Sequence, residues 1–126
     1  AVDDCGNVLD TTIVEGQTHG AAAMGIGQAL LENTAYDESG QLLSGSFMDY
    51  TMPRAHHLPS FREGFHVVPA TTNPLGVKGA GEAATTAAIA AVMNAIADAI
   101  PNEAGRTMQM PATPEKIWRA CKQMTS

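Results

Sequence analysis

Basic residues are scarce in this chain: 7 Lys and Arg stand against 13 Asp and Glu, for a formal net charge of −6. Sequence-independent binding to nucleic acid needs clustered cations that displace counterions from phosphates, and no basic stripe is present. Cysteine is just as sparse. Cys5 and Cys121 lie near opposite ends, with no CxxC pattern and no histidine at zinc spacing, so no structural zinc or iron–sulfur cluster held by this chain alone is expected, and both residues read as free thiols. Long apolar runs are missing as well. The richest one, residues 87–99, is broken by Asn94 and Asp98 and falls short of the roughly 20 apolar residues that span a bilayer. The first residues, Ala1 to Gly6, hold neither an initiator Met nor a charged leader with an apolar run, so the chain reads as starting within something larger. A cytoplasmic location is the default expectation.

At 126 residues the chain is expected to form one domain over residues 1–126. A domain of this size buries roughly two-thirds of its unfolded surface, enough for a core but not for a core and a large private cofactor cavity. Whatever it binds, it is expected to bind with help.

Asp10, Thr11 and Thr12 offer helix caps ahead of a long helical segment over 13–34. Within it, Gly16, Gly20, Ala23 and Gly27 recur at helical spacing and lay a stripe of minimal side chains along one face. Interior glycines each cost a helix about 1 kcal/mol relative to Ala, so the stripe predicts a close approach, by a packed element or by a ligand. A second helix is expected from Ala83 to about Ile100, with Ile89, Val92, Met93, Ile96 and Ile100 as ordinary core, and a third opening at Pro114. Met24, Met48, Met52 and Met93 read as core filler. Strands are expected at 1–5, around a turn at Gly40 within 36–43, at 46–50 and at 65–68. The mixture lacks βαβ regularity. The expected class is therefore α+β, with two longer helices packed on a small mixed or antiparallel sheet.

The chemistry concentrates in NPLGVKGAGE over 73–82, a glycine-rich loop running into a helix. Amides around Gly79, Ala80 and Gly81 can converge on an anion, helped by the positive end of the helix dipole, with Lys78 as a charged clamp. The P-loop template fails because Lys78 precedes the last glycines, and no apolar strand leads into the loose GxGxxA match at 79–84. Glu82 has two readings, a carboxylate stabilised by the dipole or a general base with room left beside it by Gly and Ala. Gln17 offers an amide N–H for a phosphate or oxo group, or is an exposed helical residue. The histidines His19, His56, His57 and His66 do not pair at i, i+4 on a predicted helix, so no metal ligands are assigned.

These residues occur in an ordered set. VEGQ at 14–17 with His19 and Gly20, GIGQAL at 25–30, Tyr36-Asp37 to Leu42, FMDY at 47–50 with MPRA at 52–55, residues 73–82, and MPATPE at 110–115 running to Trp118 follow one another. The set resembles the C-terminal part of the molybdenum-binding large subunit of the xanthine dehydrogenase/aldehyde oxidase family, with the nearest likeness to carbon-monoxide-dehydrogenase-like large subunits. The resemblance implies a fragment of a molybdopterin-binding domain in a molybdenum hydroxylase, an oxidoreductase. Glu82 would be the base that deprotonates a molybdenum-bound hydroxyl, Lys78, Gly79, Ala80 and Gly81 would line the cofactor, and Gln17 would hydrogen-bond it. It implies molybdopterin in its cytosine dinucleotide form, iron–sulfur clusters and FAD on other subunits or domains, and a small substrate such as an aldehyde, an N-heterocycle or carbon monoxide.

Two positions depart from the pattern. Ala84 stands where the family commonly has Gly, and His56-His57 where related sequences often carry acids. The competing expectations are a non-catalytic assembly or interaction module of the same descent, and a small nucleotide-binding domain using the loop at Gly79 to Gly81.

Overall fold

The computed structural model describes residues 1–124. Its elements are helix α1 (Thr11–Leu30), a 3-10 turn at Ala55–His57, helix α2 (Thr85–Ala99), the short helix α3 (Glu103–Arg106) and helix α4 (Pro114–Lys122). Local chemistry sets their ends. The Asp10 carboxylate accepts the Ile13 N–H at 3.1 Å to start α1, and Thr113 caps α4 with Pro114 in its first turn. Asn102 caps α3 through Gly105 N–H at 2.9 Å.

α1 and α2 pack directly on one another. Ala21, Ala22 and Ala84 form the buried cluster, with Phe61 and Ala88 against it. The point of nearest approach is Gly25, where a Cβ would stand 2.5 Å from the Thr85 carbonyl oxygen and 2.9 Å from the Ala88 methyl. Beyond α2 the chain turns back through α3, where Gly105 lies under the Ile100 carbonyl. It reaches the end of α1, where Ala112 N–H donates to the Ala29 carbonyl at 2.6 Å.

The expected sheet is not there. Among the described residues, strand pairing is limited to two isolated antiparallel bridges, Gly6 with Val77 and Tyr36 with Leu42. The second marks the expected turn, with Gly40 at φ +82° and the Asp37 carboxylate accepting the Ser39 and Gln41 N–H groups, each at 2.9 Å. Residues 46–50 form a turn instead of a strand, since the Ser46 carbonyl accepts both Asp49 and Tyr50 N–H. Residues 65–68 pair with no strand, and residues 1–5 attach only through their last members. A strand gains its hydrogen bonds from a neighbour, and these segments face none.

The small-residue stripe is corrected too. Gly16 and Gly20 have open space above them, whereas Gly27 is buried and closely approached, with Glu32 and the Pro53 ring within 3 Å of where a Cβ would stand. The helix contact uses the face of Ala21, Ala22 and Gly25. The core is accordingly made of methyl groups. Ile100 is buried at 4 % exposure, whereas Ile89, Val92, Met93 and Ile96 are half-buried. Met48, at 92 % exposure, is no core filler, nor are Met24 and Met52.

Accessible surface totals 8893 Å². A compact monomer of 13.1 kDa exposes about 6,400 Å². Large apolar side chains are among the exposed residues, including Phe47, Leu43, Val68 and Trp118.

This packing makes opposite predictions for two glycines of one helix. Gly25→Ala drives a methyl into the α2 backbone and is expected to destabilise by about 1–3 kcal/mol. Gly20→Ala meets nothing and is expected to stabilise by up to about 1 kcal/mol. Urea unfolding followed by far-UV circular dichroism reads both. A harmless Gly25→Ala contradicts the helix contact.

Candidate functional site

Residues 73–84 form a loop in two halves. The first half is knitted by asparagine. Asn73 donates through Nδ2 to the Val77 carbonyl at 2.9 Å and accepts the Val77 N–H at 3.2 Å. Gly76 sits at φ +65°, and its carbonyl accepts both Asn7 N–H at 2.8 Å and Ala70 N–H at 2.9 Å. Asn7 Nδ2 adds a bond to the Leu75 carbonyl at 2.7 Å. Gly6, at φ +65°, is pressed so near that a Cβ there would stand 2.3 Å from the Gly76 oxygen. This half is a rigid platform stitched to residues 5–7.

The second half, 79–83, is different. The amides of Gly79, Ala80, Gly81 and Glu82 donate to no acceptor among the described residues. A Cβ on Gly79 or Gly81 would meet nothing within 4 Å. The inner bonds are Ala83 N–H to the Ala80 carbonyl at 3.2 Å and Thr85 N–H to the Glu82 carbonyl at 3.3 Å. Consecutive free amides with open space above two glycines, just ahead of a helix N-terminus, form a donor set that suits an anionic or oxygen-rich group. Glu82 is exposed, and its carboxylate makes no hydrogen bond or ion pair among the described residues.

Lys78 does not reach over this set. Its ammonium pairs with the Asp4 carboxylate, while its backbone N–H donates to the Cys5 carbonyl at 2.8 Å. The Lys78 bond, aided by the Gly6 N–H, holds the Asp4 carboxyl below its ordinary value. Gln17 is exposed on α1. Its neighbours Val14 and Thr18, with Ala22 and Ile26, turn toward a cavity of about 410 Å³ whose opposite wall includes Ala80, Ala83 and Ala84. Ala80 is the one candidate residue on that wall. Gln17 itself lies off it, as do Lys78, Gly79, Gly81 and Glu82.

The departure at Ala84 now has a backbone reason. Ala84 occupies the N-cap position of α2 at φ +72°, in the left-handed region, with its methyl buried beside Ala21 and Ala22. Glycine takes this conformation without the cost of about 1–2 kcal/mol that a Cβ carries. Asp3 supplies the cap that Ala84 lacks, accepting the Ala84 N–H on Oδ2 at 3.0 Å. Neither Asp3 nor Asp4 is singled out by local pattern; adjacent acids beside a glycine turn were the one signal available. His56 and His57 meet edge to face, with centroids 4.1 Å apart and ring planes inclined by 68°. The described residues hold no group of three potential metal ligands.

The structure thus joins two close-packed helices with a run of free amides just ahead of the second. Residues 1–59 match the family described as the molybdopterin cofactor-binding domain. The large subunit of nicotine 6-hydroxylase from Paenarthrobacter nicotinovorans is 43 % identical over 122 residues, covering 97 % of this chain and 15 % of the relative. The carbon monoxide dehydrogenase large chain of Afipia carboxidovorans is 33 % identical over 124 residues, covering 98 % of this chain and 15 % of the relative. The solved Cu,Mo-CO dehydrogenase, in its carbon-monoxide-reduced state, superposes with a TM-score of 0.87 at 34 % identity, over 98 % of this chain and 16 % of that one. Along nearly its whole length the chain is similar to large subunits of molybdenum enzymes of the xanthine dehydrogenase and carbon monoxide dehydrogenase kind, and it spans about 15 % of the length of these curated relatives.

Two measurements check the local geometry. Ala84→Gly relieves the left-handed strain but loses a buried methyl worth about 0.8 kcal/mol, so stability is expected to rise by up to about 1 kcal/mol in urea unfolding. A loss above that amount refutes the strain. The Asp4 carboxyl, lowered by Lys78, is charged at neutral pH, and the stability it lends is lost as pH falls through its depressed pKa. A carbon-detected titration of Asp4 is expected to end below that of an ordinary carboxylate, and to move up toward the ordinary range in Lys78→Met, where the Gly6 N–H remains.

Proposed function

We propose that this chain is the C-terminal portion of a molybdopterin-binding domain, working within a larger molybdenum hydroxylase. The reaction is the oxidative hydroxylation of an aldehyde, an N-heterocycle or a similar small substrate, with water as the oxygen source. The observation that carries the reading is an unpartnered Glu82 carboxylate directly after four consecutive amides with no acceptor of their own. Molybdopterin carrying molybdenum, in its cytosine dinucleotide form, supplies the two-electron redox chemistry when bound.

The chain's own residues do the rest. Gly79, Ala80, Gly81 and Glu82 present backbone N–H groups to the cofactor, and the two glycines keep their side of the approach free of side chain. Lys78 anchors the loop through Asp4, and Gln17 offers an amide N–H from the first half of α1. Glu82 takes the proton from the attacking oxygen on its carboxylate. Exposure in this chain leaves that carboxylate free to face a site whose other walls come from the remainder of the large subunit. The exposed apolar side chains, Phe47 and Met48 among them, support such a partner, and iron–sulfur and FAD modules complete the electron path. The location is cytoplasmic, and the isolated chain is inactive.

Glu82→Gln in the complete enzyme tests the reading. Turnover is expected to fall by more than a hundredfold while molybdenum content, read by mass spectrometry of the metal, stays at the parent level. Turnover surviving within tenfold removes Glu82 as the base.

A further inference from the structure

Residues 79–83 are poorly restrained from within, yet a base is useful only where its carboxylate is held. The restraints sit at the two ends of the segment. At one end Lys78 donates its N–H to the Cys5 carbonyl at 2.8 Å and its ammonium to the Asp4 carboxylate. At the other end Ala84 donates its N–H to Asp3 Oδ2 at 3.0 Å. All three acceptors belong to consecutive residues, Asp3, Asp4 and Cys5, yet the side-chain bonds reach across 74 and 81 positions of sequence. Glu82 lies between the two anchors.

We propose that Asp3 and Asp4 act together as positioning residues for Glu82, the pair bracing both ends of the base-bearing loop from one point on the N-terminal segment. This rests on the reading of Glu82 as the base. Each carboxylate is aimed by its own context. Asp4 uses its second oxygen to accept the Gly6 N–H at 3.0 Å, which holds it toward Lys78. Asp3 meets a helix N-terminus whose own cap residue, Ala84, has no side-chain acceptor, so the dipole and the unpaired amide both favour a carboxylate there. One peptide separates the two acids, so the two bonds fix neighbouring points of the N-terminal segment against the two ends of the loop. The brace is separate from the proton chemistry, since neither acid needs to touch substrate or cofactor.

The test uses the complete enzyme with Asp3→Ala, Asp3→Asn and Glu82→Gln, reading kinetics and hydrogen exchange by mass spectrometry. Asp3→Ala is expected to speed amide exchange in peptides covering residues 79–84 at least tenfold, with α1 and α4 unchanged. It is also expected to lower kcat at least tenfold, with KM within threefold and molybdenum retained. Asp3→Asn keeps a neutral acceptor and is expected to restore kcat to within about threefold of the parent. If Asp3→Ala does not accumulate, Asp4→Asn, which leaves the Asp3 cap in place, is expected to show faster exchange around Lys78 and a smaller fall in kcat. Unchanged exchange, or faster exchange with unchanged kcat, overturns the brace. If exchange responds as expected but Glu82→Gln still turns over within tenfold, the base reading has failed while the brace on the loop stands as geometry alone.

Discussion

The nearest approach of α1 to α2 at Gly25 organises everything else in this chain. With hydrogen in place of a side chain, the Thr85 carbonyl and the Ala88 methyl come down onto the α1 backbone, and Ala21, Ala22 and Ala84 close around them. Methyl groups set the spacing, so the first turn of α2 is fixed against the middle of α1. The cradle at 79–82 hangs from that first turn. Moving the helices apart by one methyl would shift the cradle relative to every residue on α1, Gln17 included.

Such a core is thin. Alanine methyls and Ile100 bury little area each, and stability near the loop depends as much on polar stitching, through Asn7, Asn73, Asp3 and Asp4, as on apolar packing. Farther out, Tyr50 donates to the Glu32 carboxylate at 2.5 Å, tying residues 46–53 to the end of α1. The Glu32 carboxylate raises the Tyr50 phenol above its ordinary value. Large apolar side chains are left outside, Phe47 and Met48 among them.

Much of this was legible residue by residue, for physical reasons that also mark where legibility stops. Asp10 and Pro114 announce helix starts because capping and the fixed φ of proline are local: α4 opens at Pro114, and α1 runs over Thr11–Leu30 where 13–34 was expected. The loop from 69 to 81 declares itself through proline and glycine. A strand is not local in this sense: alternation at 65–68 says that the segment can pair, not that a partner exists. Helical spacing likewise names the residues that share a face but not the face that is covered, which is why the stripe of Gly16 and Gly20 misled and Gly25 mattered. The glycine neighbours of Glu82 mark the loop but leave a helix-capping acid and a base both open; only the resemblance singles out the base. The acids that brace its loop could not be found in this way, since a hydrogen bond across 81 positions leaves no trace in local pattern.

That separation has a kinetic meaning. Closing a loop between residues 3–7 and 73–84 has to be achieved before any of its bonds form, and the entropy lost in doing so is recovered only when the two segments have met. Helices α1 and α2 are built from contacts close in sequence and can form early. The Gly6–Val77 bridge and its companions belong to the slow, non-local class. The free amides and the Glu82 carboxylate therefore assume their arrangement only after the distant ends of the loop are joined, and a chain still folding has no such arrangement to present.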